Sequence, residues 1–308
     1  MKKVFIDGSA GTTGLRIYER LSARDDVEIL RLAEEFRKDA AARKEIINNA
    51  DIVFLCLPDD AAREAVSFVE NPSVTVIDAS TAHRTLPDWA YGFPELSAAH
   101  EQKIKSSNRI AVPGCHASGF IALVYPLVEA GILDKETLLT CHSITGYSGG
   151  GKKMIAEYES DDKAFLLGAP RQYGITQQHK YLKEMQAITG IENAPMFSPI
   201  VSDFYSGMTV TVPIFAKQIK GGINNIKALY AKKYTSELVK YEESIDENGF
   251  ISGLALSGKD GMKITVAGNE ERILLIAAYD NLGKGASGAA IECMNMKLGV
   301  EKTKGLEL

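Results

Sequence analysis

The sequence predicts a two-domain α/β protein: a Rossmann-type, doubly wound parallel sheet, followed by an α+β domain whose sheet is mixed and largely antiparallel. Near-continuous apolar strands alternate with amphipathic helices over the first third of the chain. A glycine-rich loop joins the first strand to the first helix, and the later strand-like runs are bounded by turn residues. The length of 308 residues also suits two domains better than one core.

The first domain begins with strand–helix units. Short apolar strands separated by amphipathic helices favour a parallel sheet that is covered on both faces. The elements predicted in chain order are a strand over 3–8, a helix over 12–23, a strand over 27–32, a helix over 38–49, a strand over 51–58, a helix over 59–70 and a strand over 74–80.

The pattern changes near residue 115. The elements predicted there are a helix over 117–131, a strand over 138–145, a loop over 146–153, strands over 198–204 and 207–216, a helix over 224–234, and strands over 261–268 and 272–280. A final helix over 283–299 is rich in small residues, and we expect it to pack back onto the first domain. The predicted division is therefore 1–114 plus 284–308 for the cofactor domain, and 115–283 for the catalytic and oligomerisation domain.

Composition restricts the classes of function. Hydrophobic residues are 45%, charged residues 24% and the net charge is −5, which favours a globular protein without nucleic-acid or membrane partners. The apolar runs are too short for a signal peptide or a membrane span, so a cytoplasmic location is expected. The four cysteines at 56, 115, 141 and 293 form no C-x-x-C pair, so neither a disulfide framework nor a metal site is expected.

The stretch "GSAGTTG" places Gly8, Gly11 and Gly14 between a strand and a helix. Such a loop lets the backbone approach a pyrophosphate and aims a helix N-terminus at it. The alternative is a tight turn that binds no ligand. At the end of the second strand, where an acidic residue would select NAD, the chain carries Arg31 and then Arg37 and Lys38. These cations favour NADP, although Glu34 and Glu35 weaken the case and Arg37 and Lys38 could simply begin a solvated helix.

Cys115 in "VPGCHASG" lies between a Pro-Gly turn and a predicted helix. Helix N-termini stabilise thiolates, so we expect a lowered pKa and a nucleophilic role, and the same N–H groups could hold an oxyanion. The other possibility is a small apolar residue at a helix start, which is the expected state of Cys56, Cys141 and Cys293. His116 adjoins the cysteine but should face elsewhere. His179 begins an amphipathic helix and is a better candidate partner, or an ordinary helix-start histidine.

Several stretches between residues 5 and 290 resemble the short subgroup of the N-acetyl-gamma-glutamyl-phosphate reductase family, which is related to aspartate-semialdehyde dehydrogenase. They are "IDGSAGTTGLRI", "RKDAAAR", "VFLCLPDDAAREAV", "DASTAHR", "YGFPEL", "VPGCHASGF", "SGGGKKMI", "HKYLKEM" and "DNLGKGASGAA". The resemblance implies that Cys115 attacks the acyl phosphate, that the thioester accepts hydride from NADPH, and that the semialdehyde is released. It also implies a homodimer or homotetramer that shares the sheet of the second domain.

The resemblance assigns further residues. The cofactor phosphates would contact Gly8, Gly11, Thr12, Thr13 and Gly14. Ser80 and Arg84 would lie between cofactor and substrate, with Arg84 a candidate for the substrate phosphate, and Asn281 would lie on the nicotinamide side. The loop that includes Tyr147, Ser148 and Gly149 would cover the substrate, where its glycines could enclose an anionic group; the alternative is a flexible linker.

Two positions depart from the family pattern. The family commonly has H-x-H-x-x-E; here His179 and Glu184 match, and Tyr181 occupies the position of the second histidine. A phenol with an ordinary pKa of about 10 is a weak base near neutrality, so the acid–base role stays open between His179 and Tyr181. Val112 stands where many relatives have asparagine. Two alternatives therefore remain: a reductase of another acyl phosphate, such as an aspartyl or a carrier-bound aminoadipyl phosphate, and a catalytically impaired NADP-binding homologue.

Overall fold

The computed structural model describes residues 1–308 and divides into two compact units. Unit 1 comprises Met1–Pro113 and Ala286–Leu306, and unit 2 comprises Gly114–Gly285 and Glu307–Leu308. No helix of either unit is long and apolar enough to cross a membrane.

Unit 1 contains a parallel sheet of six strands in the order β2-β1-β3-β4-β6-β5, which confirms the predicted Rossmann-type sheet. Its strands are β1 (Lys2–Asp7), β2 (Val27–Leu30), β3 (Ile52–Leu55), β4 (Thr75–Asp78), β5 (Ala90–Tyr91) and β6 (Arg109–Ala111). Its helices are α1 (Thr12–Ser22), α2 (Ala40–Asn49), α3 (Asp59–Ser67), α4 (Ala98–Ser106) and α9 (Gly288–Leu298). The pattern did not predict β5 and β6, which are too short to show a period.

Two apolar clusters cover the faces of this sheet. One includes Val4 and Ile6 of β1 with Ile17 of α1 and Ile291 of α9. The other includes Phe5 with residues of β3, α2 and α3. Successive residues of β1 therefore point into opposite clusters, and every residue of β3 and β4 is buried. Burial on both faces explains why these strands are continuous apolar runs.

Unit 2 contains a mixed sheet of seven strands in the order β11-β12-β13-β10-β7-β9-β8. The pairs β7–β9 and β11–β12 are parallel and the other four are antiparallel, which confirms the predicted mixed, largely antiparallel sheet. The strands are β7 (Thr140–Gly146), β8 (Arg171–Gln172), β9 (Met196–Ser202), β10 (Met208–Phe215), β11 (Val239–Tyr241), β12 (Met262–Gly268) and β13 (Arg272–Tyr279). The helices are α5 (Cys115–Glu129), α6 (Gly151–Tyr158), α7 (Tyr181–Thr189) and α8 (Gly222–Lys233).

Two glycine-rich segments differ from their predictions. The predicted loop over 146–153 is a 3-10 turn over Tyr147–Gly150 followed directly by the first residues of α6. The predicted helix over 283–299 begins as one π turn, Gly283–Ser287, before α9. A Cβ atom at Gly283 would lie 2.0 Å from the Lys259 carbonyl oxygen, so this turn requires glycine where the two backbones meet.

Candidate active site

Cys115 is the first residue of α5, two residues earlier than the predicted helix start. Gly114 is the N-cap in an extended conformation, and the Ser118 N–H donates to its carbonyl oxygen at 2.8 Å. The half-buried sulfur therefore lies beside N–H groups of the first turn that have no partner within the helix, a setting that favours negative charge on sulfur. Most of α5 is buried, which fixes this turn rigidly in unit 2.

Glu184 and Tyr279 hold the start of α5 from two sides. The buried Glu184 Oε1 accepts a hydrogen bond from the Gly114 N–H at 2.8 Å. The Tyr279 hydroxyl donates to the Cys115 carbonyl oxygen and accepts from the Gly119 N–H. Gly119 is required there, because a Cβ atom would lie 2.7 Å from that hydroxyl oxygen. Glu184 thus fixes the backbone N–H of the residue before the cysteine. The contact of Tyr279 with this turn was not predicted from the sequence.

Tyr181 is the predicted partner that the structure brings to the sulfur. Its hydroxyl oxygen lies 3.8 Å from Cys115 Sγ, within hydrogen-bond range for sulfur. His179 lies behind it: the two rings meet edge to face at 4.8 Å, and His179 Nδ1 accepts from the Tyr181 N–H at 3.3 Å. Helix α7 begins at Tyr181 rather than at His179. Burial, together with the charge of Lys180, lowers the pKa of His179, so this imidazole is neutral near pH 7.

The hydrogen bonds of His116 run to Ser143 and Tyr173. This histidine is buried, with Nδ1 at 2.6 Å from Ser143 Oγ and Nε2 at 2.7 Å from the Tyr173 hydroxyl oxygen. Burial, assisted by neighbouring His179, lowers the pKa of His116 to about 3. Neither Ser143 nor Tyr173 was identified from the sequence, since nothing in the local pattern links residues on different strands and loops to position 116.

The predicted substrate loop is held by contacts within unit 2. The Tyr147 ring stacks on Tyr158 at 4.6 Å, and its hydroxyl donates to Glu159 Oε1. The buried Ser148 Oγ accepts from Asn281 Nδ2 at 2.9 Å, and Asn281 Oδ1 accepts from the Gly207 N–H. The Asn281 amide therefore joins this turn to Gly207, the residue before β10. Gly149 is exposed and carries no side chain, so at this position the loop presents backbone groups to the solvent.

In unit 1, a cavity of about 530 Å³ lies at the carboxyl ends of β1 and β2, beside the glycine loop. Gly8 has φ +88°, and a Cβ atom there would lie 2.4 Å from the Cys56 carbonyl oxygen. A Cβ atom on Gly14 would lie 2.4 Å from the Gly8 carbonyl oxygen, while Gly11 is the N-cap of α1. These contacts require glycine at 8 and 14 and keep the loop backbone close to the cavity.

The residues of this region fit a dinucleotide. Thr12 Oγ1, in the first turn of α1, is buried without a hydrogen-bond partner, and Thr13 is half-buried beside it. The cavity wall includes Arg31, Arg37 and Lys38. An anion that reaches the first turn would satisfy the Thr12 hydroxyl and the N–H groups there, and cations on the second strand's end would suit a further phosphate.

The three cations differ in their contacts. Arg31 donates to the Tyr18 hydroxyl and lies over that ring, 5.3 Å from its centroid. Arg37 forms an exposed ion pair with Glu34 at 2.6 Å, and Lys38 is exposed. Arg31 is therefore already oriented by its neighbour, while Arg37 is shared with a carboxylate.

The predicted site residues Ser80 and Arg84 form hydrogen bonds within unit 1, in and beside the turn after β4. Ser80 Oγ donates to Asp78 Oδ2 at 2.7 Å and accepts from the Ala82 N–H. The buried Arg84 donates through Nε to the Val112 carbonyl oxygen and through Nη2 to that of Ala79. The Ser80 hydroxyl thus has both a donor and an acceptor within the turn. The hydrogen bonds of Arg84 to the Val112 and Ala79 carbonyl oxygens hold the backbone that leads to Pro113.

Comparison with known proteins agrees with both units. Residues 3–104 match the semialdehyde dehydrogenase NAD binding domain, and residues 115–281 match the semialdehyde dehydrogenase dimerisation domain. The chain is 46% identical over 306 residues to the N-acetyl-gamma-glutamyl-phosphate reductase of Sinorhizobium medicae, covering 96% of this chain and 98% of the relative. It is 41% identical over 318 residues to N-acetyl-gamma-glutamyl-phosphate reductase 2 of a Nostoc species, covering 99% of each.

Solved structures share the fold at low sequence identity. A probable aspartate-semialdehyde dehydrogenase from Pseudomonas aeruginosa superimposes with a TM-score of 0.73 at 14% identity, over 96% of this chain and 98% of that one. Aspartate semialdehyde dehydrogenase with NADP from Candida albicans gives 0.69 at 17% identity, over 97% and 99%. These likenesses extend over both units.

Proposed function

The chain belongs to the N-acetyl-gamma-glutamyl-phosphate reductase family, and we propose that it reduces N-acetyl-gamma-glutamyl phosphate to N-acetyl-glutamate 5-semialdehyde with NADPH, in arginine biosynthesis. The observation that carries the mechanism is the position of Cys115, at the first turn of a buried helix and 3.8 Å from the Tyr181 hydroxyl. A thiol at such a turn, beside a proton-carrying group, is suited to acyl transfer.

In the first step the Cys115 thiolate attacks the acyl carbon. A carbon–sulfur bond forms, the bond from carbon to the phosphate oxygen breaks, and inorganic phosphate leaves with the bonding electrons. The N–H groups of the first turn of α5 stabilise both the thiolate and the oxyanion that precedes the thioester. Glu184 holds the Gly114 N–H and thereby the position of this turn.

In the second step the thioester becomes a thiohemiacetal. NADPH, when bound, would supply the hydride for this reduction of the thioester carbon. The Tyr181 hydroxyl provides the proton for the carbonyl oxygen and takes it back when the carbon–sulfur bond breaks, which releases the aldehyde and restores the thiolate. His179, neutral and packed on the Tyr181 ring, orients this phenol.

Unit 1 holds the cofactor. Gly8, Gly11, Gly14, Thr12 and Thr13 form the pyrophosphate site, for which the partnerless Thr12 hydroxyl is the supporting observation. The wall of the 530 Å³ cavity takes the adenosine end, with the 2′-phosphate facing the cations Arg31, Arg37 and Lys38. In unit 1, Ser80 and Arg84 shape the turn after β4. In unit 2, Asn281 holds the turn that presents the Gly149 backbone to the substrate.

A second copy of the chain covers one face of the unit 2 sheet. The match of residues 115–281 to a dimerisation domain supports this assembly. Helices α5 and α8 contact the opposite face, whereas Ile144, Met196, Phe215 and Leu274 are exposed on the strands. Such a row of exposed apolar side chains on a sheet is typical of an interface.

We place the enzyme in the cytoplasm because all four cysteines are thiols.

The test is an assay in the oxidative direction with NADP⁺, phosphate and purified aldehydes. N-acetyl-glutamate 5-semialdehyde should be oxidised with a kcat/KM at least 100-fold above that of aspartate semialdehyde, and Cys115→Ala should reduce the rate to background. Cys141→Ala, which removes a buried thiol of β7, is the matched control and should retain activity. Preference for another semialdehyde would assign a related acyl phosphate. A folded wild-type protein that binds NADP⁺ but oxidises none would indicate the impaired homologue.

A further inference from the structure

Three hydrogen-bonded side chains of unit 2, those of Ser143, His116 and Tyr173, have no part in the steps above. His116 is buried, and its two ring nitrogens contact Ser143 Oγ at 2.6 Å and the Tyr173 hydroxyl oxygen at 2.7 Å. Because burial and nearby His179 lower the pKa of His116 to about 3, the ring is neutral at physiological pH. A neutral imidazole donates from one nitrogen and accepts at the other. The two hydrogen bonds that link Ser143, His116 and Tyr173 can therefore run in either of two directions.

The burial of Ser143 decides in which direction these hydrogen bonds run. Ser143 is fully buried on β7, and its hydroxyl has His116 Nδ1 as its hydrogen-bond partner. If His116 donated from Nδ1, the serine proton would have no acceptor, and a buried donor without an acceptor is strongly unfavourable. Ser143 therefore donates to Nδ1. The ring proton is then on Nε2, which donates to the Tyr173 hydroxyl oxygen.

This direction leaves the Tyr173 proton for another acceptor. The Tyr173 hydroxyl has His116 Nε2 as its partner, and this bond now uses the oxygen only as acceptor. The residue is half-buried. The Tyr173 ring lies 6.0 Å from the His179 ring, centroid to centroid, and His179 packs on Tyr181, whose hydroxyl oxygen is 3.8 Å from Cys115 Sγ. Burial raises the pKa of Tyr173, and negative charge on Cys115 raises it further, so the hydroxyl stays protonated. The group is thus a preset donor beside the nucleophile.

We propose that Tyr173 donates a hydrogen bond to the carbonyl oxygen of the acyl group on Cys115, and that Ser143 and His116 are positioning residues that set the direction of this donor. The inference rests on the proposed thioester chemistry. The carbonyl oxygen gains negative charge as the thiolate and later the hydride add to the carbon, so a fixed donor stabilises the transition states more than the ground state. Tyr181 moves a proton, whereas Tyr173 keeps its own.

The first test compares phenol and phenyl at position 173. Tyr173→Phe should lower kcat by about 100- to 1,000-fold, as loss of one oxyanion donor does in other enzymes. KM for NADPH should stay within the error of the wild type, and the melting temperature should fall by only a few degrees, because the buried His116 Nε2–H loses its acceptor. Tyr241→Phe on β11 is the matched control, because it removes a phenol oxygen elsewhere in unit 2, and it should keep the wild-type kcat.

A double-mutant cycle separates positioning from general destabilisation. His116→Leu should lower kcat to the level of Tyr173→Phe, and the double variant should be no slower than either, because His116 acts through Tyr173. His116→Gln, whose amide can replace the Nε2 donor, should recover part of the loss. If His116→Leu does not fold, Ser143→Ala takes its place in the cycle, with a smaller loss that Tyr173→Phe should likewise mask.

Two results would overturn the inference alone: an active wild type with an unimpaired Tyr173→Phe variant, or losses at 116 and 173 that multiply. A wild-type protein without reductase activity would instead overturn the proposed function, and this inference with it.

Discussion

At the Cys115 sulfur, the neighbouring proton-carrying side chain is a phenol. The Tyr181 hydroxyl lies 3.8 Å from Sγ, while His179 contacts the edge of the Tyr181 ring and accepts a hydrogen bond from its backbone. The two residues therefore have separate places, and the phenol has the direct one. A phenol is a competent proton donor but a weak base at neutral pH, which should make thiol activation the slower part of the cycle.

Substitution of Tyr181 tests this assignment. Tyr181→Phe removes the proton and should lower kcat by about 100-fold or more, within the range for loss of a general acid–base group. Tyr181→His introduces a group with a pKa near 6.5 and should raise kcat near pH 7. Steady-state rates from pH 5 to 10 measure both. Equal rates for the wild type and Tyr181→Phe would transfer the proton role to His179.

Individual residues were predictable where a motif specifies them. Cys115 was expected at a helix start and is the first residue of α5, and the family resemblance pointed to Glu184, which accepts from the Gly114 N–H. The catalytic roles of both residues stay predictions. Tyr173 and Ser143 were not predictable, because they reach His116 only through the pairing of β7 and β9 and the chain beside it. Contacts between distant segments leave no local pattern in the sequence.

At the scale of elements, the proposed selection of NADP rests on the segment after β2. Strand β2 ends at Leu30, so Arg31 is the first residue beyond it and lies against Tyr18 of α1. Lys38 approaches the same cavity from the segment before α2. This arrangement presents two positive charges without a paired carboxylate, whereas Arg37 shares Glu34. The negative charge of a phosphate on the ribose complements the positive charges of this surface.

Removal of these charges should change cofactor preference. Arg31→Ala combined with Lys38→Ala should raise KM for NADPH at least 10-fold, since each factor of ten corresponds to about 1.4 kcal/mol of lost interaction. KM for NADH should change less than twofold, because that cofactor lacks the 2′-phosphate. Lys44→Ala, which removes an exposed lysine of α2 that pairs with Glu70, is the control. A parallel loss with both cofactors would contradict a 2′-phosphate site.

The elements themselves were predictable to the extent that their periodicity is strong. The long helices and the buried strands of both units lie within a few residues of their predicted ranges. The glycine-rich turn at Tyr147–Gly150 was not, because glycine permits helical and extended backbone alike and tertiary contacts decide between them. Here the decisive contacts are the Tyr147–Tyr158 stack and the Asn281–Ser148 bond.

At the scale of the whole molecule, each unit contributes a different part of the chemistry. Unit 1 is a parallel sheet with a cavity beside its glycine loop, which we propose for the dinucleotide, and unit 2 carries Cys115, the proposed nucleophile, with its neighbours. The sequence predicted both sheet classes, because continuous apolar strands and turn-bounded strands have different patterns. The register of the mixed sheet and its exposed apolar face depend on pairings over long sequence distances, which the local pattern does not contain.

The exposed face of the unit 2 sheet should hold two copies together. Ile144 lies on β7, opposite Ile200 of β9 and Thr209 of β10, and is 41% exposed. Ile144→Asp would bury a charge in the interface and should shift the protein to monomers at micromolar concentration. Sedimentation velocity measures this shift. Leu86→Asp, at a similarly exposed apolar residue of unit 1, should leave the assembly intact; an unchanged assembly in Ile144→Asp would exclude this face.

The central claim is that an acyl group is transferred to Cys115, and rapid mixing without phosphate tests it most directly. N-acetyl-glutamate 5-semialdehyde and NADP⁺ should give a burst of one NADPH per active site, because hydride leaves the thiohemiacetal and the thioester then has no phosphate to attack it. Digestion of the protein at acid pH should locate the acyl group on the peptide that contains Cys115, and Cys115→Ala should show neither burst nor label. NADPH formation without a labelled peptide, or a label on Cys56, Cys141 or Cys293, would contradict the account.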